Sequence, residues 1–393
     1  MLKFSVPFNW CEDFLVALKE LHLEGDLYAK LPADFVGGGK HSFQVPPISR
    51  AKVKNYIKRI HSINLKFNYL LNSTCLGNLE WTRYGQKNII KLLDWLLECE
   101  VDAVTVATPY LLQLVKKRFP RLKVNLSVLA GVNSLLRAKY WEDLGADRIT
   151  LLNTDLNRNF ELIKKIRDNV KCELQLIANV NCLYKCPMYF YHNSLSSHSS
   201  QSWHPTRGFV IDYCRLKCRH QQLLNPLEVI RSQWIRPEDV RHYEAAGINY
   251  LKLIDRGMVT KALVVIVTAY IKRHYDGNLL DLFPNPTKTA VFQNKNFLHK
   301  FKYFFRPNYV NIFKLLKMSR LFAEIFYIDN RKLDGFIEHF LNNSDCAGKT
   351  CDECGYCLRI AEKIVVVDKN KQKEMTAKYE ECLLDLTNGG MFR

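Results

Sequence analysis

The side chains best suited to chemistry in this sequence are cysteines, and four of them form two pairs with the same internal spacing. Cys182 and Cys186 are followed, after a gap of 27 residues, by Cys214 and Cys218, so the pattern is CxxxC, a gap and a second CxxxC. Four thiolates on one long loop can converge on a metal, and zinc sites more often use two-residue spacings. The three-residue spacing therefore favours an iron–sulfur cluster held by four thiolates, while four buried free thiols are the alternative.

A second group of cysteines lies near the C-terminus and has shorter spacings. Its pattern is C-x4-C-x2-C-x2-C, formed by Cys346, Cys351, Cys354 and Cys357 within twelve residues. Such close ligands can wrap one cubane cluster or one tetrahedral ion. The pattern predicts a second metal site, which holds either a second [4Fe-4S] cluster or zinc. A cluster there would pass electrons to the first centre or brace the C-terminal part of the chain.

The remaining cysteines and the apolar segments indicate the cellular compartment. Thirteen cysteines are present, and the five outside the two groups are interpreted as small buried hydrophobic residues. No segment has the composition of a signal peptide, and no apolar run is long enough to span a bilayer. We therefore expect a cytoplasmic protein, in which grouped cysteines bind metal and do not form disulfides. The five scattered residues are Cys11, Cys75, Cys99, Cys172 and Cys382.

The formal net charge of +18 predicts attraction to a polyanion or to an anionic surface. The segment from Phe283 to Ala323 contains no Asp or Glu, and its basic residues alternate with aromatic ones. Arginine and lysine beside stacking rings suit single-stranded RNA, and they also suit an anionic membrane surface. The alternative is a basic, partly buried segment that only joins two domains. The basic residues are Lys288, Lys295, Lys300, Lys302, Arg306, Lys314, Lys317 and Arg320.

The elements that must position the first cysteine group alternate between strand-like and helix-like patterns over the first 280 residues or so. Eight strand candidates separated by amphipathic helices predict a (β/α)8 TIM-barrel-like fold, with an open doubly wound sheet as the alternative. The cysteine-bearing loop, residues 179–220, leaves the C-terminal end of the seventh strand, where barrel enzymes place their active sites. The strand candidates are residues 2–7, 26–30, 65–71, 102–107, 123–128, 147–152, 173–178 and 250–254.

Four further residues are candidates for a catalytic or substrate-binding role. Lys252 and Arg256 fall on or just beyond the eighth strand, where a cation is costly unless it faces a site or has a partner. Arg236 precedes a helix predicted to begin with Pro237 and could bind a carboxylate bidentately. His192 follows the first cysteine pair closely and is a candidate proton donor, metal ligand or substrate contact.

Several sequence runs resemble the peptidase U32 family. They are NVNCLYKCPMYFYHN, DYC, CRHQ, WIRPEDV, YEAAGINYLKL and YDGNLLDL, with looser likeness in KFSVPFNW, FNYLLN, VDAVTVATPYLL and EDLGADRITLL, together covering about residues 1–282. The resemblance implies a barrel-like fold and a [4Fe-4S] cluster on four cysteines, here Cys182, Cys186, Cys214 and Cys218. It also implies oxygen-independent hydroxylation of RNA or of ubiquinone precursors, with prephenate as oxygen donor. Other members were described as collagenase-like proteases.

These inferences predict a U32-like barrel over residues 1–282, a basic aromatic connecting segment over 283–332 and a cysteine-rich C-terminal unit over 333–393. The predicted function is an iron–sulfur-dependent, oxygen-independent hydroxylation or related redox modification, with RNA as the first candidate substrate. A redox partner is a further possible partner of this enzyme. A small metabolite or peptide substrate and a non-catalytic iron–sulfur scaffold remain alternatives. A U32-type peptidase is less favoured, because the sequence has neither a GxSxG nor an HExxH motif.

Overall fold

In a computed structural model, the chain folds around eight parallel strands that close into a barrel. The structure describes residues 2–285, 297–319, 321, 324–342 and 349–393. Each strand pairs with its neighbours in chain order, and β1 closes the barrel by pairing with β8. The prediction of a (β/α)8 barrel is confirmed. The strands are β1 (Lys3–Pro7), β2 (Gly25–Ala29), β3 (Lys66–Leu71), β4 (Ala103–Val106), β5 (Lys123–Leu126), β6 (Arg148–Thr150), β7 (Glu173–Ile177) and β8 (Tyr250–Lys252).

The helices that follow the strands form the outer layer, and their apolar faces pack against the barrel. Most begin with a side-chain cap, such as Thr108 before the proline that opens α4. The helix predicted to begin at Pro237 begins instead at Val240. The helices of this layer are α1 (Glu12–Glu20), α2 (Arg50–Ser62), α3 (Arg83–Glu98), α4 (Pro109–Arg118), α5 (Leu135–Asp143), α6 (Phe160–Arg167), α10 (Val240–Ala245) and α11 (Thr260–Lys272).

The barrel interior is polar at both ends, and its N-terminal end is closed by a buried ion pair. Arg148, the first residue of β6, donates from Nη1 to Asp26 Oδ2 at 2.6 Å, and its guanidinium lies 3.3 Å from the ring centre of Tyr250. Asp26 also accepts a hydrogen bond from Ser5 at 2.6 Å. This closed end leaves the opposite end, formed by the C-terminal ends of the strands, for binding.

The segment between β7 and α10 is more helical than the sequence prediction of a long loop. It contains α7 (Tyr189–His198), α8 (Tyr213–Leu224) and α9 (Leu227–Arg231). Asp212 accepts a hydrogen bond from the backbone N–H of Arg215 at 3.0 Å and so caps α8. Cys214 and Cys218 therefore occupy successive turns of one helix and project from the same face.

The C-terminal residues pack onto the barrel and onto the helix that carries Cys214 and Cys218. A two-stranded antiparallel sheet, β9 (Phe326–Ile328) with β10 (Val365–Val367), accompanies the remaining helices. Leu216 and Leu223 of α8 share a hydrophobic cluster with Tyr379 and Leu383 of the last helix, which therefore supports the cysteine-bearing helix. The remaining helices are α12 (Phe297–Phe304), α13 (Ile312–Met318), α14 (Glu338–Asn342), α15 (Cys351–Cys354), α16 (Tyr356–Ile364) and α17 (Lys369–Thr387).

The scattered cysteines are not all buried. Cys99 and Cys382 are buried, as expected of small hydrophobic residues, whereas Cys11, Cys75 and Cys172 are partly exposed. Across the described residues, we find no helix with the length and apolar character needed to cross a membrane.

Candidate active site at the mouth of the barrel

A cavity of about 340 Å³ lies at the C-terminal ends of the strands. Its wall is built by β8, by the loops after β2, β3, β5 and β6, and by the helical segment after β7. Seven of the residues singled out in the sequence contribute to this wall. They are Cys182, Cys186, His192, Cys214, Cys218, Lys252 and Arg256.

The four cysteines reach the cavity from a helix and from a turn. Cys214 and Cys218 lie on helix α8. Cys182 and Cys186 lie in a turn after β7, where Lys185 has a positive φ of 47° and donates its backbone N–H to the carbonyl of Thr154 at 3.1 Å. Ser232 donates a hydrogen bond to the carbonyl of Cys182 at 2.8 Å and holds this turn from the other side.

The thiols are close enough to influence one another electrostatically. Burial, together with the neighbouring thiols of Cys218 and Cys186, raises the pKa of Cys182 to about 12. Burial also raises the pKa of Cys214 to about 12, with additional contributions from Asp212, Cys186 and Cys218. Such thiols stay protonated unless a nearby cation stabilises the thiolate. A bound metal ion supplies that stabilisation, and cysteine ligands bind it as thiolates.

Two cations face the cysteines across the cavity. Lys252 and Arg256 are buried, with 9% and 4% of their surfaces exposed. Neither has a carboxylate within salt-bridge distance in the described part of the chain, and the buried Nε of Arg256 has no hydrogen-bond partner there. The ammonium group of Lys252 lies 3.9 Å from the ring centre of Tyr28. Among the described residues, the cavity therefore holds two buried cationic side chains that have no carboxylate at salt-bridge distance.

The environment of Lys252 brings its titration close to neutral pH. Burial, opposed by Asp26 and aided by Arg256 and Arg148, lowers the pKa of Lys252 to about 7. Burial also lowers the pKa of Arg256, to about 10, which still leaves this guanidinium charged at neutral pH. The other lysine at the cavity, Lys40, is instead paired with Asp255.

His192 lies in the cavity wall beside a carboxylate that the sequence analysis missed. Its Nε2 is 3.2 Å from Asp212 Oδ1, and the same carboxylate lies 3.2 Å from Nε2 of the buried His41. Burial alone would raise the pKa of Asp212, but hydrogen bonds from His192 and His41 hold it well below its usual value. The position of Asp212 as the N-cap of α8, two residues before Cys214, was the available sequence signal. No comparable signal marked His41.

Arg236 does not contribute to the cavity. Its guanidinium donates to Asn330 Oδ1 at 3.0 Å and to Asp334 Oδ1 at 2.6 Å. The residue does bind a carboxylate, as its sequence context suggested, but this carboxylate belongs to the C-terminal part of the protein. Arg236 therefore joins that part to the barrel.

Three of the four C-terminal cysteines lie in the described residues, whereas Cys346 lies outside them. Cys351 and Cys357 line a separate cavity of about 420 Å³ together with Tyr184 and Arg231. The Sγ atom of Cys354 is 3.7 Å from Nε2 of His339.

The two cysteine groups are close neighbours. Tyr184, which lies between Cys182 and Cys186 in the chain, lines the cavity of the C-terminal group. Arg231 interacts with Cys351, and the next residue, Ser232, contacts the backbone of Cys182. A single short helix, α9, therefore ends in contact with both groups.

A closed (β/α)8 barrel with a cysteine-lined, cationic cavity at its C-terminal mouth defines the class of protein. Residues 33–274 match the peptidase U32 family. A protein named "uncharacterized protease" from Methanocaldococcus jannaschii is 31% identical over 87% of this chain and 89% of its own length. The chain belongs to the peptidase U32 family.

More distant relatives carry a different name. The tRNA hydroxylation protein P of Escherichia coli is 27% identical over 42% of this chain and 34% of its own length. Its namesake from Helicobacter pylori is 27% identical over 53% of this chain and 47% of its own length. A solved structure of a U32 peptidase, with a TM-score of 0.50 and 23% identity, covers 65% of this chain and 93% of its own and supports the fold.

Proposed function

We propose that this protein is an iron–sulfur-dependent hydroxylase that modifies RNA without molecular oxygen. The observation that carries the proposal is the convergence of four cysteines and two buried cations on one cavity at the mouth of the barrel. Neither cation, Lys252 or Arg256, has a salt-bridge partner among the described residues. Thiolates suit a cluster, and buried cations suit an anionic co-substrate.

The donor set fits a [4Fe-4S] cluster better than zinc. A tetrahedral zinc ion with Zn–S bonds of about 2.3 Å would hold its sulfur atoms about 3.8 Å apart. Among the described residues, the ligand atoms that form a group within 4.8 Å are those of His41, His192 and Asp212, and the thiols of the first cysteine group form no such trio. The three-residue spacing within each cysteine pair, which is less usual for zinc, supports a [4Fe-4S] cluster, and such a cluster would supply redox-active iron beside the cavity.

The surrounding side chains have roles that follow from their positions. Lys252 and Arg256 would hold the carboxylates of the oxygen donor, for which prephenate is the candidate. His192, oriented by Asp212, would move a proton at its imidazole nitrogen. Hydroxylation converts a C–H bond into C–OH and oxidises the substrate by two electrons, so the donor of the oxygen atom must accept two electrons.

RNA is the favoured substrate because of the relatives named for tRNA hydroxylation and because of the net charge of +18. A small metabolite or a peptide would also fit a cavity of this size. We expect anaerobically purified protein, supplied with prephenate, to add one oxygen atom to a nucleoside of RNA, as measured by mass spectrometry of digested RNA. Turnover of a small molecule or peptide without RNA would contradict the RNA assignment, and intact clusters without any turnover would indicate a scaffold.

Proteolysis is less well supported, although one relative carries the name of a protease. Ser199, His41 and Asp212 have the composition of a hydrolytic triad, with Ser199 Oγ 2.7 Å from His41 Nδ1. The serine is buried, however, and its hydroxyl donates to the carbonyl of Ser196 at 3.0 Å. The buried position of Ser199 Oγ against the helix backbone, with 2% of the residue exposed, keeps the carbonyl carbon of a peptide from reaching it.

The C-terminal cysteines are proposed to hold a second metal centre, either a second cluster or zinc, next to the first. We expect Cys354→Ala to remove this centre and leave the first one loaded. Iron, sulfide and zinc analysis of the anaerobic protein measures this change, since loss of iron with sulfide indicates a cluster and loss of zinc alone indicates a structural ion. An unchanged metal content would contradict the second site.

If the second centre is a cluster, its position beside Tyr184 and Arg231 suits electron exchange between an external redox partner and the first centre. The side chain of Arg231 would then stabilise its negative charge, because burial alone would lower the pKa of this guanidinium but Cys351 and Glu228 raise it above its usual value.

A further inference from the structure

The basic aromatic segment divides into two parts with different surroundings. In α13, Lys314 and Lys317 form ion pairs with Asp385 and Glu381 of α17 at 2.6 and 2.5 Å. Leu315 is buried in a small cluster with Val310 and Met391. This second part is therefore a packing element whose charges the protein neutralises itself.

The first part, α12, is attached to the rim of the active-site cavity by its inner face. Tyr303 is buried, and the ring centre of Phe304 is 4.7 Å from that of Phe43. Phe43 in turn stacks on His41, with ring centres 5.7 Å apart and ring planes inclined by 7°. Because His41 lines the cavity, a continuous row of rings connects α12 to the proposed active site.

The outer face of α12 presents aromatic rings and positive charge to solvent. Phe301 and Phe305 are 43% and 46% exposed and stack on each other, with ring centres 4.3 Å apart and planes inclined by 15°. Lys302 is exposed between them, and Arg207 is exposed next to Gly208, against which Tyr303 packs. Exposed rings beside cationic side chains offer faces on which bases can stack.

We propose that this α12 surface, formed by Phe301, Lys302, Phe305 and Arg207, binds single-stranded RNA and leads it to the cavity. The inference rests on the proposed function and adds the place where the substrate is held. Stacked rings beside cations form the arrangement that binds bases and phosphates of an unpaired strand without base specificity. The row of rings through Phe43 places this surface next to the reaction site.

RNA suits this surface better than a membrane does. An interfacial membrane helix buries a long apolar face, whereas α12 has eight residues and turns Tyr303 and Phe304 toward the protein. The segment from Phe283 to Ala323 has no acidic residue that would repel phosphates. The expected ligand is therefore a short unpaired stretch of RNA.

Binding of a fluorescent oligouridylate to the full-length, cluster-loaded protein tests the proposal. We expect Phe301→Ala and Phe305→Ala each to weaken binding by roughly five- to a hundredfold, as for loss of one stacked base, with an unchanged salt dependence. Lys302→Ala should instead reduce the slope of log K against log salt by about 0.7, as for loss of one phosphate contact on a single strand.

Matched controls lie on α5, which follows β5 and is three strands away from β2 around the barrel. Tyr140 is 53% exposed, and Lys139 beside it is also exposed, so Tyr140→Ala and Lys139→Ala should leave RNA binding unchanged. Iron content and thermal stability should be the same in all of these variants.

Two outcomes would overturn the inference. Wild-type RNA affinity and salt slope in all three α12 variants, with RNA hydroxylation intact, would refute this surface and leave the proposed function standing. Binding of phosphatidylserine vesicles that requires Phe301 and Phe305, with no competition from RNA, would make α12 a membrane contact. Absence of both RNA binding and RNA hydroxylation in the wild type would instead refute the proposed function itself.

Discussion

Replacing Cys182 with alanine should remove the first metal centre and abolish the proposed hydroxylation. Loss of a partner that only orients a metal ligand commonly costs about 10- to 100-fold in affinity or activity, so loss of a ligand should cost more than about a hundredfold. The remaining thiols, Cys186, Cys214 and Cys218, have raised pKa values, chiefly because of burial. Three such thiols should bind iron more weakly than four. Iron and sulfide analysis, the visible spectrum and the RNA assay measure the effect.

Cys11→Ala is the matched control, because Cys11 is a partly exposed cysteine at the start of α1 and belongs to neither group. This variant should keep full iron, sulfide and activity. A Cys182→Ala protein that retained its cluster and its turnover would refute the assignment of this ligand. Zinc without sulfide at both sites of the wild type would refute the redox function as a whole.

The second large effect is expected at Lys252. A hydrogen bond between charged groups contributes about 1.5–3 kcal/mol, so Lys252→Met should weaken prephenate binding by about 10- to 100-fold. The variant should fold, because it exchanges a buried cation without a salt-bridge partner in the described residues for an apolar side chain of similar length. Isothermal titration of the anaerobic protein measures the affinity, and Lys252→Arg should recover part of it.

The pH dependence of binding follows from the same residue. Because burial lowers the pKa of Lys252 to about 7, its ammonium form predominates below pH 7 and is lost as the pH rises through that value. Prephenate binding should therefore weaken above about pH 7 in the wild type, and this change should disappear in Lys252→Met. An affinity that is independent of pH between 6 and 8 in the wild type would contradict the role of Lys252.

The variant Arg236→Gln tests whether Arg236 stabilises the fold or binds the substrate. Arg236 is as deeply buried as Arg256, but its partners Asn330 and Asp334 belong to the C-terminal part. Prephenate affinity should remain unchanged in this variant while thermal stability falls. A loss of affinity at unchanged stability would return Arg236 to the list of substrate-binding residues.

The sequence by itself determined the features that depend on local pattern. Alternating runs such as Lys66–Leu71 and the amphipathic Arg83–Glu98 indicate strand and helix because neighbouring residues alone set their periodicity. A regular alternation of such elements leaves few topologies, and the eight-stranded barrel is one of them. The cysteine spacings and the placement of Lys252 at the end of the last strand were also readable without a structure.

The tertiary structure alone decided which distant residues meet. His41 and Asp212 are 171 residues apart in the chain and lie 3.2 Å apart in the cavity wall, and Arg231 and Ser232 reach both cysteine groups. The same packing directs Arg236 toward Asp334. It also gives α12 and α13 different surroundings, because the lysines of α13 form ion pairs with acidic residues of α17. Such contacts depend on how the completed barrel brings its loops together, and spacing along the chain carries no information about them. The four cysteines and the candidates Lys252, Arg256 and His192 were therefore identifiable from the sequence, whereas Asp212 and His41 became visible as their neighbours only once the barrel had closed.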